Sequence, residues 1–129
     1  YGHDIGIAYQ LRDDVLGVFG DSAVTGKPAG DDLREGKRTV LFATALQLLD
    51  ESDPSAAAEL RAGIGTATAP EDLARLAELI AESGALEGVE KRIEALTTSG
   101  LAHLETANID DAVADNLRQL AIKSTERRA

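Results

Sequence analysis

The stretch YGHDIGIAYQLRDDVLGVF, residues 1–19, has the apolar spacing of one amphipathic helix and decides the fold class of the chain. Two neighbouring rows of large apolar residues share this helix: Ile5, Tyr9, Leu16 and Phe19 in the first, and Ile7, Leu11, Val15 and Val18 in the second. Such a broad apolar surface predicts burial on most sides. The polar residues of the same helix, Gln10, Asp13 and Asp14, therefore need a specific reason to be there.

Helix-forming residues also dominate the rest of the chain, which has no Val-, Ile- or Thr-rich run of period two. Further helices are predicted from Thr39 to about Asp50, from Pro54, from Pro70 to Gly84, from Leu86 to about Asn108, and over a last segment whose apolar face is Ile109, Val113, Leu117 and Leu120. Thr39 and Asp53 are predicted N-caps. Gly100 indicates close packing or a kink in the long helix.

Residues 20–37 interrupt this pattern and predict a long loop, because they combine four glycines and a proline with many charged residues. No repeat or linker divides the chain. We therefore predict an all-α fold, a helical bundle or part of one, in which residues 1–129 belong to a single domain.

The composition of the chain excludes several classes of protein. With 23 acidic and 13 basic residues the net charge is -10, which argues against nucleic acid as a partner because phosphate backbones require a basic surface. The chain contains no cysteine, so disulfide frameworks and thiolate metal sites are excluded. Neither a signal peptide nor an apolar run long enough for a transmembrane segment is visible. We expect a cytoplasmic protein.

The polar residues of the first helix form one set. Gln10, Asp13, Asp14 and Gly17 occupy positions i, i+3, i+4 and i+7, so they stand on one face across two turns. Two adjacent carboxylates in an apolar helix repel each other unless a cation or a basic group compensates them. Mg²⁺ suits such a pair, because it typically takes one or two carboxylates while water and substrate phosphate complete its shell. Another divalent cation could replace it.

The loop that follows carries groups that a diphosphate would need. Lys27, Lys37 and Arg38 offer donors to phosphate oxygens, and the loop glycines allow the backbone to approach closely. Asp31 or Asp32 could orient metal-bound water. Cations and carboxylates that alternate in one segment are the pattern expected for a metal-bridged diphosphate.

Plainer interpretations of both features stay open at this point. An Asp-Asp pair is usually a solvated helix face, and a charged loop rich in Gly can be a disordered connection. Gly26-Lys27 is not a Walker A motif, because Pro28 follows the lysine. Gly63-x-Gly65 is not a dinucleotide fingerprint, because no strand precedes it.

Two segments together resemble the second conserved block of the trans-isoprenyl diphosphate synthases, which are the farnesyl, geranylgeranyl and longer polyprenyl synthases. These segments are IAYQLRDDVLGVFGD, residues 7–21, and TGKPAGDDLREGKRTV, residues 25–40. The Gln, the paired Asp, the Gly-Lys and the Gly-Lys-x-Thr all stand in register. Weaker similarity continues to the end of the chain, so the resemblance covers nearly all of it.

This resemblance implies a fold, a reaction and a set of site residues. The fold is the carboxyl-terminal portion of the isoprenoid synthase bundle. The reaction is ionisation of an allylic prenyl diphosphate, attack by the double bond of isopentenyl diphosphate and loss of a proton, in an enzyme that usually forms homodimers. The implied site comprises the metal ligands Asp13, Asp14 and Asp32, the diphosphate-binding and catalytic lysines Lys27 and Lys37, and the substrate-binding Gln10.

Two departures from the family pattern limit what the resemblance implies. The usual motif is Asp-Asp-x-x-Asp, and Gly17 stands at the third Asp; Asp21 is only a weak candidate to replace it. The amino-terminal half of the family's domain, with its first aspartate-rich motif, has no counterpart here, so we expect residues 1–129 to be inactive alone. A rival hypothesis is a non-catalytic helical regulatory or interaction protein that keeps the fold.

Overall fold

A computed structural model describes residues 1–20, 30–107 and 109–125 of the chain. These ranges form seven helices: α1 Gly2–Phe19, α2 Asp31–Glu35, α3 Val40–Ser52, α4 Pro54–Gly63, α5 Pro70–Glu82, α6 Ala85–Thr106 and α7 Asp111–Thr125. No strand occurs in the described ranges, and the all-α prediction is confirmed. None of the described helices is long and apolar enough to cross a membrane.

The helix ends lie close to the positions that local signals predict. Thr39 is the N-cap of α3, and its hydroxyl accepts a hydrogen bond from the Phe42 backbone N–H at 3.1 Å. Asp53 caps α4 in the same way. Helix α3 continues to Ser52, slightly further than predicted, and Gly84 separates α5 from α6 with a φ of +91°.

Helix α1 packs along α6 and also contacts α2, α3 and α7. Its buried row is Ile5, Ala8, Leu11, Val15 and Val18. The approach of α1 to α6 depends on Gly100, because a Cβ at that position would lie 2.8 Å from Cδ1 of Ile5. Close packing, one of the two roles predicted for Gly100, is therefore confirmed.

Of the first of the two apolar rows predicted for α1, only Ile5 is buried. Tyr9 is 41% exposed, and Leu16 and Phe19 are only half-buried. Burial instead follows Ile5 of the first row together with Leu11, Val15 and Val18 of the second, on the side that packs along α6, and Ile7 is half-buried. Tyr9 lies on the same open side of α1 as Gln10.

The apolar face predicted for the last helix is not the face that the helix buries, so that prediction is wrong. Its predicted members lie mostly at the surface: Ile109, Val113 and Leu120 are exposed, and Leu117 is half-buried. Helix α7 instead buries Ala121 and Thr125. These small side chains allow a close approach to α1, where Nε of Arg12 donates a hydrogen bond to the Thr125 carbonyl at 2.7 Å.

A short helix, α2, replaces part of the predicted loop over residues 20–37, so that prediction is wrong for its second half. Gly30 and Gly36 flank α2 with φ angles of +77° and +76°, a left-handed conformation that glycine adopts at little cost. Leu33 is 1% exposed and anchors α2 in the core. Residues 21–29, where the rest of the loop is predicted, lie outside the described part of the chain.

Candidate metal and diphosphate site

The predicted polar face of α1 divides between two sides of the helix. Gln10 and Asp13 are exposed and line an open cavity that Leu120 and Ser124 of α7 border on the other side. Asp14 is half-buried and faces α2 and α3. The structure thus keeps the two aspartates adjacent but gives them different surroundings.

Asp14 lies at the amino-terminal end of α3. Its carboxylate accepts a hydrogen bond from the backbone N–H of Val40, where the helix dipole favours negative charge. Burial is the main cause that raises the pKa of Asp14, and the carboxylates of Asp32 and Asp13 raise it further. The Val40 hydrogen bond and the positive charge of Lys37 lower this pKa without reversing the increase. A cation bound here would therefore relieve an unfavourable negative charge.

The backbone of α2 holds Lys37 beside these carboxylates. Helix α2 ends in a Schellman motif, in which the Gly36 N–H donates to the Leu33 carbonyl at 3.2 Å and the Lys37 N–H to the Asp32 carbonyl at 2.9 Å. Nζ of Lys37 lies 3.9 Å from Oδ2 of Asp32, while the lysine side chain remains 57% exposed. The ammonium group can therefore meet a phosphate oxygen that arrives from solvent.

A pair of glycines supports this turn. Gly36 and Gly65 both have positive φ, and a Cβ on Gly36 would lie 3.2 Å from Cα of Gly65. The Gly65 N–H donates to the Leu33 carbonyl at 2.8 Å. This role was not predicted from the sequence, where Gly65 stood out only within a rejected dinucleotide motif. The available signal was that Gly36 and Gly65 each stand just after the end of a helix.

Arg12 is a second residue whose role was not predicted. Its side chain is 14% exposed, and its two terminal nitrogens donate to the two carboxylate oxygens of Glu90 at 2.6 and 2.7 Å. With the bond from Nε to the Thr125 carbonyl, Arg12 joins α1 to both α6 and α7. It therefore fixes the rotation of the helix that carries Asp13 and Asp14. An arginine within an apolar helix was the signal for this role.

Oxygen donors for a divalent cation are present, but not as a complete protein cage. In the part of the chain that the structure describes, no three carboxylate or imidazole side chains are arranged to hold a metal ion. Mg²⁺ needs only one or two carboxylates when water and substrate phosphate complete its shell. Asp13 and Asp14 therefore fit an ion that is shared with a phosphorylated ligand. Lys27 and Asp21 lie outside the described residues.

Comparison with known proteins relates this arrangement to a family. The family model described as polyprenyl synthetase matches residues 1–82, which include every predicted site residue. The chain belongs to the polyprenyl synthetase family. Its α1, with the paired aspartates, and its α2–α3 turn, with Lys37, are thus parts of a polyprenyl synthetase fold.

Three relatives show which share of their own length this chain matches. The (2E,6E)-farnesyl diphosphate synthase of Mycobacterium tuberculosis is 35% identical across 100% of this chain and 36% of its own length. The geranylfarnesyl diphosphate synthase of Aeropyrum pernix is 44% identical over 91 residues, which are 70% of this chain and 27% of the relative. The crystal structure of a geranylgeranyl pyrophosphate synthase from Corynebacterium glutamicum, complexed with isoprenyl diphosphate and magnesium, matches with 65% identity and a TM-score of 0.96.

That structural match covers 99% of this chain and 36% of the crystallised one. The chain therefore spans 27% to 36% of the length of these three relatives.

Proposed function

We propose that this chain supplies the second aspartate-rich site of a polyprenyl diphosphate synthase, in which Asp13 and Asp14 bind Mg²⁺ against the diphosphate of an allylic substrate. The observation that supports this role is the position of Asp14. Its carboxylate is half-buried at the amino-terminal end of α3, beside Asp13 and close to the charge of Lys37. A divalent cation would offset the charges of Asp13 and Asp14, and Lys37 would offset part of the negative charge of the diphosphate.

In the proposed reaction an allylic prenyl diphosphate loses its diphosphate to form an allylic carbocation. The double bond of isopentenyl diphosphate attacks this carbocation, and a proton is then lost. Bound Mg²⁺ would supply charge stabilisation to the leaving diphosphate. Lys37 contributes to the same end, because its ammonium group interacts more strongly with the oxygens as negative charge develops on them. Lys27 is proposed as the second lysine, and Gln10 orients the substrate from the rim of the cavity that it lines.

A non-catalytic role is the second candidate, and Gly17 at the third aspartate position favours it. Under this alternative the protein keeps the family fold but does not elongate prenyl chains. A homodimer and a cytoplasmic location follow from the family resemblance and composition, and both stay predictions.

Isothermal titration with inorganic diphosphate, in the presence and absence of Mg²⁺, tests the proposed site. The wild-type protein should bind diphosphate in a Mg²⁺-dependent manner, and Asp13→Ala with Asp14→Ala should weaken that binding at least about tenfold. The matched control is Glu71→Ala with Asp72→Ala, which removes the same two charges from an exposed pair on α5 and should bind like wild type. Unchanged binding by the Asp13/Asp14 variant would refute the proposed site.

Turnover separates the two candidate functions. The full-length protein that contains this chain should elongate an allylic diphosphate with isopentenyl diphosphate when Mg²⁺ is present. A folded protein that binds Mg²⁺ and diphosphate but elongates no allylic diphosphate would establish the non-catalytic alternative.

A further inference from the structure

Arg12 and Asp14 lie on nearly opposite sides of α1. An α-helix turns by about 100° per residue, so residues two positions apart are separated by about 200° around its axis. On one side Asp14 accepts a hydrogen bond from the backbone N–H of Val40 in α3. On the other side Arg12 contacts Glu90 of α6 and Thr125 of α7. The contacts of Arg12 therefore resist any rotation of α1 that would move Asp14 away from α3.

These contacts are short and have a fixed geometry. The planar guanidinium group donates to both carboxylate oxygens of Glu90, at 2.6 and 2.7 Å, and to the Thr125 carbonyl, at 2.7 Å. Thr125 is the last residue of α7, so its carbonyl lies at the negative end of the helix dipole, where a positive charge is favoured. Only 14% of the Arg12 side chain is exposed, so dissolved salt screens these interactions weakly. Arg12 thus holds three helices in one arrangement.

The hold of Arg12 on α7 also bears on Asp13. Leu120 and Ser124, in the last two turns of α7, border the cavity that Asp13 lines. Thr125 follows Ser124 and is completely buried, so the end of α7 is anchored where Arg12 contacts it. Arg12 therefore acts on both walls of this cavity, through α1 on one side and through the end of α7 on the other.

We propose that Arg12 and Glu90 are positioning residues of the Mg²⁺–diphosphate site. Neither side chain touches the ligand in this proposal. Their ion pair fixes the rotation of α1 and the position of the end of α7, so that Asp13 and Asp14 meet the ligand in one geometry, as a precise site requires. The affinity of the site then depends on a pair on the far side of the helix. This inference rests on the proposed function, since it adds residues that act on the same site.

Isothermal titration with Mg²⁺ and inorganic diphosphate tests the inference. Arg12→Lys keeps the positive charge, but an ammonium group cannot reproduce the forked bonds to Glu90 and Thr125, so Mg²⁺-dependent affinity should fall about tenfold. Arg75→Lys is the matched control, because Arg75 of α5 also donates from two nitrogens to one carboxylate, that of Glu59 in α4, at 3.2 Å. The control should bind within about twofold of wild type.

Glu90→Gln tests the same pair from α6 and serves also if Arg12→Lys does not fold. It removes the charge and one of the two oxygen acceptors, so affinity should fall by a similar factor. Because the two residues act through one ion pair, the double variant Arg12→Lys with Glu90→Gln should bind no more than about threefold more weakly than the weaker single variant. Losses that multiply in the double variant would show that the residues do not act through their pair, and the inference would be wrong.

The amide proton resonance of Val40, measured by NMR on the metal-free protein, separates positioning from a general loss of stability. This N–H donates to Asp14 on the side of α1 away from Arg12, and its resonance in the native state does not depend on how much protein is unfolded. Arg12→Lys should shift the resonance, whereas Arg75→Lys should leave it unchanged. A loss of affinity with an unchanged Val40 resonance would refute positioning through α1.

The outcomes separate this inference from the proposed function. If Arg12→Lys and Glu90→Gln are folded and bind like wild type while the Asp13/Asp14 variant loses binding, the inference is wrong and the proposed function stands. If the Asp13/Asp14 variant itself binds like wild type, the proposed function fails, whatever the Arg12 and Glu90 variants do.

Discussion

The two sides of α1 hold their polar residues in different ways. On the side that faces α2 and α3, Asp14 accepts a backbone hydrogen bond from Val40, and Gly17 admits the Asp32 carboxyl group. On the side that faces α7, Gln10 and Asp13 line an open cavity whose other wall includes the exposed Leu120. We refer to these as the α2/α3 side and the α7 side.

The two sides of α1 therefore differ in how far contacts with other helices hold the residues of the proposed site. On the α2/α3 side, helix ends and glycine contacts fix the charged groups before any ligand is present, which is the arrangement that stabilises developing charge most effectively. On the α7 side, Gln10 and Asp13 are exposed and border an open cavity. Changes on the α2/α3 side should therefore affect both stability and ligand binding, whereas changes on the α7 side should have small effects on stability.

The largest expected effect is that of Leu33→Ala on the α2/α3 side. Leu33 is 1% exposed and is the buried residue of α2, so its truncation leaves a cavity under the turn that carries Lys37. We expect a loss of about 2–5 kcal/mol in the free energy of unfolding, measured by urea denaturation. Mg²⁺-dependent diphosphate affinity should fall in the same variant.

Leu120→Ala is the matched control on the α7 side. Because Leu120 is 57% exposed, the same truncation should change the free energy of unfolding by no more than about 0.5 kcal/mol. Equal losses in the two leucine variants would contradict the distinction between the two sides.

Gly36→Ala should have an intermediate effect. Alanine at a φ of +76° is strained, and its Cβ would lie 3.2 Å from Cα of Gly65, so we expect a loss of about 1–2 kcal/mol. The change should also displace Lys37 and weaken diphosphate binding, as titration calorimetry would detect. Gly88→Ala on α6 should have the opposite sign and stabilise the protein by up to about 1 kcal/mol, because that glycine is an exposed interior helix position. Destabilisation of similar size in both variants would show that the Gly36–Gly65 contact is not the cause.

Asp14→Asn should have the smallest effect on stability, and the effect should depend on pH. Burial raises the pKa of Asp14, so the native state keeps a proton in a pH range where the unfolded chain has lost it. The contribution of this carboxyl group to stability is therefore full below about pH 4 and declines as the pH rises through the raised pKa. Asn carries no charge and retains an oxygen that can accept the Val40 hydrogen bond.

The metal-free Asp14→Asn protein should accordingly gain Tm relative to wild type between pH 4 and pH 7. Asp115→Asn, at an exposed carboxylate on α7, serves as the control and should leave the wild-type pH dependence unchanged. If the Tm difference between Asp14→Asn and wild type is the same at pH 4 and at pH 7, the Asp14 carboxyl group does not have a raised pKa in the native state.

Local sequence signals were sufficient for most of the fold. The caps Thr39 and Asp53 were predicted correctly, and the apolar period of α1 identified the helix that carries the paired aspartates. Local sequence signals failed where burial depends on a partner helix. Val113 and Leu120 are apolar yet exposed, because α7 packs through Ala121 and Thr125. A hydrophobic pattern identifies an amphipathic helix but does not determine which neighbour covers each row.

The candidate site divides in the same way between sequence and tertiary structure. By itself the sequence determined the helical class, the family resemblance and the spacing that places Asp13 and Asp14 in one turn, because these depend only on residue order and helical geometry. Only the tertiary structure showed that Asp14 lies at the end of α3, that Gly65 supports the Lys37 turn and that Asp32 fills the space beside Gly17. Those contacts join residues that are distant in the chain, and their positions depend on how the helices pack.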